Sequence, residues 1–184
     1  MDGQHFLDET RRQYRKLEQG ANKALAQLSD DSLFVSLGEG SNSLAILMKH
    51  MAGNMRSRWT DFLTSDGEKP DRNRDSEFVI DAEDTADSIR ERWRQGWQTV
   101  HGALDGLAVD DLGKTVTIRN EPHTVPQAML RQLSHYSYHV GQITFLARRI
   151  AGDGWRFLSI APGKSKEFDA TQDGMRYLED PPRS

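Results

Sequence analysis

The chain contains no cysteine among its 184 residues, which excludes disulfides, thiolate metal sites and a cysteine nucleophile in one step. Any metal ion must therefore be held by His, Asp or Glu. No stretch approaches the roughly 18 consecutive apolar residues of a membrane span, and the opening MDGQHFLDETRRQYRK has no apolar run of the signal-peptide kind. Cytoplasm is the expected compartment, with no membrane partner. An excess of basic residues is missing too: 24 Lys plus Arg face 28 Asp plus Glu, a formal charge of −4. Such a chain has no long-range attraction to phosphate backbones, so nucleic acid is not an expected partner.

What is present is helical periodicity, in four places. Leu7, Thr10, Tyr14, Leu17, Ala21, Ala24 and Leu28 recur at steps of three and four, which predicts an amphipathic helix over about residues 3–28. A second stripe, Leu44, Leu47, Met48, Met51, Met55, Trp59 and Phe62, follows the cap-rich segment Gly38 to Ser43 and predicts a helix to about Thr64. A third begins after Asp84 or Thr85 and carries Ile89, Trp93, Trp97, Val100, Leu104 and Leu107, with Gly106 near its end. The fourth has the clearest start: Thr124 and Gln127 match a T-x-x-Q capping box, Pro126 lies in the first turn, and Met129, Leu133, Tyr136, Val140, Ile143, Ala147 and Ile150 run on towards Gly152.

Residues 65–84, SDGEKPDRNRDSEFVIDAED, have no helical period and read as a long connection. Alternation over Thr115 to Ile118, with turn chemistry at Asn120 to Pro122, predicts a small hairpin before the last helix. The expected fold is all-α: one domain over residues 1–184, a four-helix bundle with its core in about 3–152, and a non-helical tail over 153–184. Trp59, Phe62, Trp93 and Trp97 are candidates for much of the core.

The informative chemistry is in the placement of histidine. His135 and His139 are four residues apart on the fourth helix, so their side chains stack on one face, about 5 to 6 Å apart at Cβ. With Gln132 and Gln142 they form a stripe beside the apolar one, and His50 borders the apolar stripe of the second helix in the same way. Packing those two helices together can bring three imidazoles into one pocket, an arrangement that suits zinc, nickel, copper or iron with a position left open. Histidines on a core border also serve as ordinary hydrogen-bonded residues, so the spacing leaves both readings open. His5, His101 and His123 have no helical partner histidine and read as surface or hairpin residues. Asp75 and Glu77 are candidates for a general base or a carboxylate behind an imidazole, and Asn54 and Gln142 for orienting an imidazole through its free nitrogen.

The segments SLAILMKHMAGNMRSRWTDFL, DGEKPDRNRDSEF, RQLSHYSYHVGQITFLAR and LSIAPGKSKEF resemble the DinB-like superfamily, and most closely a branch of it known only as a domain of unknown function. The resemblance implies an up-down-down-up four-helix bundle, often a homodimer, with a divalent metal, commonly zinc or nickel, held by His50, His135 and His139. In some relatives such a metal activates a low-molecular-weight thiol, so the expected activity is a metal-dependent transferase, thiol-dependent or not, or a hydrolase acting on a small molecule. The alternative is a non-catalytic, metal-stabilised helical protein serving binding or stress.

Overall fold

The computed structural model describes residues 2–168. Four helices carry the chain: α1 (Gly3–Leu25), α2 (Leu44–Trp59), α3 (Ala86–Asp105) and α4 (Val125–Ala151). Each starts where a side chain takes up a backbone N–H that the first turn leaves without a partner. Asp2 accepts from His5 N and Ser43 from Ile46 N. Thr85 with Ser88, and Thr124 with Gln127, form reciprocal capping boxes at α3 and α4, the second with Pro126 in the first turn as the sequence predicts.

A two-stranded antiparallel hairpin, β1 (Thr115–Ile118) and β2 (Glu121–Thr124), precedes α4. Its turn is made by Arg119 and Asn120, with φ of 56° and 62°, the left-handed pair that matches strand twist. Beyond α4 the chain makes a single turn of 3-10 helix and then runs without regular structure to residue 168. The rest of the predicted tail lies outside the described residues.

Two helix ends differ from expectation. The first helix stops at Leu25 and not Leu28. The second stops at Trp59, five residues before Thr64, because Thr60 is extended and Asp61 adopts a positive φ of 48°. Phe62 still packs on Trp59, at 4.9 Å between ring centroids, so its apolar period reflects core contact without helix.

α2 packs along α3 and α1 along α4, and contacts of α1 with α3 and of α2 with α4 join the two pairs around one core. Tyr14, Trp59, Trp97 and Tyr136 interlock there edge to face, with centroids 5.5 to 6.0 Å apart. The close approach of α2 to α3 depends on Gly96, where a Cβ would lie 3.2 Å from the Ala52 Cα.

α2 is buried on nearly every side, its polar residues included. Buried polar groups need partners, and the long connection supplies them. Lys49 donates to Val79 O at 2.9 Å and to Asp84 at 2.5 Å. Ser57 and Arg58 both donate to Gly67 O, and Lys69 N donates back to Ser57 Oγ. The segment is thus tied to α2 and, through Gly67 N to Thr117 O and Asp66 to Arg119 N and Asn120 N, to the hairpin. A turn of 3-10 helix, Asp75–Phe78, sits inside it against α2. Among the described residues, no helix is long and apolar enough to cross a membrane.

Candidate metal centre

α2 and α4 bring His50, His135 and His139 together, with one ligand nitrogen from each lying within 4.8 Å of the others. Ring centroids are 4.6 Å apart for His135 and His139, 5.0 Å for His50 and His139, and 5.6 Å for His50 and His135. The rotation of α4 against α2 is set next door. Tyr136 donates to Asn54 Oδ1 at 3.1 Å and accepts from Trp59 Nε1 at 3.0 Å, so the residue beside His135 is bonded twice into α2.

The tautomers follow from the partners. His50 Nδ1 donates to Glu77 Oε2 at 2.9 Å, which leaves its Nε2 with a lone pair. His139 Nδ1 donates to Gln142 Oε1 at 2.8 Å, with the same result. The Nε2 atoms of His139 and His135 stand 3.0 Å apart, close enough to share one proton or one cation. Four-coordinate zinc with Zn–N of about 2.0 to 2.1 Å sets its nitrogens about 3.3 Å from one another. The three-histidine cluster can therefore hold a metal ion after small side-chain adjustments.

Electrostatics favour the neutral form of the two histidines on α4. Burial pushes the His135 imidazole down to about 3, helped by the neighbouring His139, His50, Arg58 and Arg72. Burial also lowers His139. Neutral imidazole is the form that binds metal.

Glu77 is buried, as is the side chain of Arg72, which donates to it from Nε and Nη2 at 2.8 and 2.9 Å. Burial raises the Glu77 carboxyl, but the bonds from His50 and Arg72 outweigh it and the net shift is downward, so the group behind His50 is a carboxylate. Glu77 reaches this position from the 3-10 turn by lying directly against Gly53 of α2. It is the carboxylate–histidine pairing found behind metal-binding imidazoles.

Of the residues singled out in the sequence, His50, His135, His139, Glu77 and Gln142 meet here. Asp75 does not: it is exposed at the start of the 3-10 turn. Asn54 does not orient an imidazole either, because its amide oxygen is taken by Tyr136. His5 is exposed, His123 lies in the hairpin beside Arg131, and His101 stacks on Trp97 and bonds Glu18.

A family model described as a protein of unknown function (DUF1572) matches residues 2–164. The chain belongs to this family. A comparison with curated proteins finds no match.

In this DUF1572 protein the histidines open onto a cavity of about 390 Å³ whose wall includes Phe78 and five arginines: Arg58, Arg72, Arg74, Arg119 and Arg131. Sequence reasoning missed this set. In DRNRD and the hairpin such residues look like solvated charge, and no spacing marks Arg72 as the one that turns inward to Glu77. A second cavity, of about 290 Å³, lies between α2 and α3 with Gly53 and Glu77 in its wall, so Glu77 borders one cavity while its partner His50 borders the other.

Proposed function

We propose that the protein is a metal-dependent enzyme acting on a small molecule, with His50, His135 and His139 as ligands of one divalent transition metal, zinc or nickel. The observation that carries this reading is the convergence of three histidine nitrogens within 4.8 Å of one another, two of them given Nε2 lone pairs by Glu77 and Gln142. Buried Nδ1 of His135 has no hydrogen-bond partner among the described residues, and its ring sits where a cation would relieve the 3.0 Å approach of two nitrogens. In this reading the four helices form a DinB-like bundle, and the protein is a cytoplasmic homodimer.

A metal held by three imidazoles with an open position polarises a carbonyl, lowers the pKa of bound water to about 7 or binds a thiolate. The chain's own residues do the rest. Glu77 and Gln142 keep the Nδ1 protons of His50 and His139 in place, Arg72 holds Glu77 ionised, and the cavity wall positions the substrate. Transfer to or from a low-molecular-weight thiol and hydrolysis both fit. The absence of cysteine means that any thiol comes from solution.

The non-catalytic alternative, a metal that only holds the helices together, fits the donor set less well. Structural zinc sites are normally closed by four protein ligands, and the cluster here brings three. Cobalt substitution tests the reading. A cobalt-loaded protein with visible absorption that shifts when glutathione or a hydroxamate is added has an exchangeable position. A spectrum insensitive to both supports the structural alternative.

A further inference from the structure

We infer that the cavity in front of the three histidines is a site for a small organic anion, one bearing a carboxylate or a phosphate. As a substrate assignment this rests on the reading of the histidines as a metal centre.

The argument is one of charge. The whole chain carries −4, yet this cavity is lined by five arginines. Among the described residues the carboxylates that pair with them are three: Glu68, Glu77 and Glu121. Cations in excess within a concave, partly desolvated wall attract an anion against the sign of the whole protein.

The five are not equivalent. The side chains of Arg58 and Arg72 are buried and spent on structure, Arg58 on Gly67 O and Glu68, Arg72 on Glu77 and Glu68. Arg119 gives its Nε to Glu68, and Arg131 gives one nitrogen to Glu121 and His123. Arg74 pairs with no carboxylate among the described residues. Its guanidinium lies over the Phe78 ring at 5.0 Å, and that ring packs on His50 at 4.8 Å between centroids. One stacked, uncompensated guanidinium is therefore held one ring away from a candidate ligand. Stacking leaves its in-plane N–H fork available for an oxyanion.

One unmet donor points the same way. Arg58 Nε is buried without a hydrogen-bond partner among the described residues, and Arg58 lines this cavity. The Arg58 side chain is 7% exposed. A buried donor left unpaired costs free energy that a bound acceptor recovers. The size of the cavity fits a metabolite-sized molecule.

The test is calorimetric titration of inorganic phosphate and, separately, malonate into the full chain after chelator treatment, in a buffer free of both. Removing metal makes the readout independent of whether the histidines bind one. Saturable binding of either anion, weakening with added salt, is expected, and the anion bound tells phosphate chemistry from carboxylate chemistry. The Arg74→Gln/Arg131→Gln double variant should bind about tenfold more weakly or worse, whereas Arg94→Gln, on the exposed face of α3, should bind like wild type. All variants are compared at equal helical circular dichroism. No saturable binding of either anion, or equal affinity in the double variant, overturns the inference and leaves the metal reading standing. Arginine-dependent binding in a protein that takes up no metal upholds the anion site and removes the metal centre.

Discussion

Gly53 and Glu77 compete for the same space: a Cβ built on Gly53 would come within 2.8 Å of the Glu77 Cδ. Glu77 in turn is the acceptor for His50 Nδ1. A missing side chain on α2 thus makes room for the carboxylate that orients a candidate ligand on the same helix. Gly53→Ala should therefore push Glu77 away and weaken metal binding by about 10- to 100-fold, the usual effect of losing a partner behind a ligating histidine. Glu77→Ala should do the same. In a Glu77→Ala background the Gly53 change should add almost nothing, and chelator competition across the four proteins measures that coupling.

Tyr136 is the polar link between α4 and α2. Tyr136→Phe removes the group that satisfies both Trp59 Nε1 and Asn54 Oδ1, leaving two buried atoms unpaired without changing the volume of the core. A loss of about 1 to 3 kcal/mol is expected in urea unfolding. If α4 depends on this link for its rotation, metal affinity falls as well.

The long connection is held by buried charge. Lys49 bonds Val79 O and Asp84, whose side chain is fully buried. Lys49→Met leaves those acceptors short of a cation, though Arg92 still reaches Asp84 at 2.7 Å. We expect a loss of about 3 kcal/mol. Cleavage by trypsin within residues 66–84 should become faster than elsewhere in the chain.

Much of this was legible beforehand, for identifiable reasons. Helix starts are local: Thr124, Pro126 and Gln127 are adjacent in the chain and act on adjacent backbone groups. The histidine pair on α4 is local as well, and His50 follows from the period of α2. The end of α2 was not legible, because Phe62 keeps the apolar rhythm while the backbone has already turned at Asp61. Nor was the order in residues 65–84, which depends on Lys49, Ser57 and Arg58 reaching out of a helix that looks amphipathic but is buried nearly all round. The arginine lining depends on contacts between segments distant in sequence, and no single segment carries its signal.

Asp66 gives the fold a dependence on acidity. Burial raises its carboxyl, but the backbone N–H groups of Glu68, Asn120 and Arg119 outweigh this and hold it at about 2. The unfolded chain binds that proton near pH 4, so the contribution is fully present above about pH 4 and is lost as pH falls towards 2. Asp66→Ala should cost about 1 kcal/mol at pH 7, allowing for solvent screening. The difference between variant and wild type should shrink in chemical unfolding at pH 3 and below.

The central claim is that His50, His135 and His139 hold a metal, and metal content per chain tests it most directly. Wild type, His50→Ala and His139→Ala are purified without a tag, offered zinc and nickel, desalted and measured by inductively coupled plasma mass spectrometry, with circular dichroism on the same samples. The account predicts about one equivalent of transition metal in the wild type and none in either variant, with helical content unchanged. Wild-type protein that retains neither metal, or variants that retain as much as wild type, would contradict it.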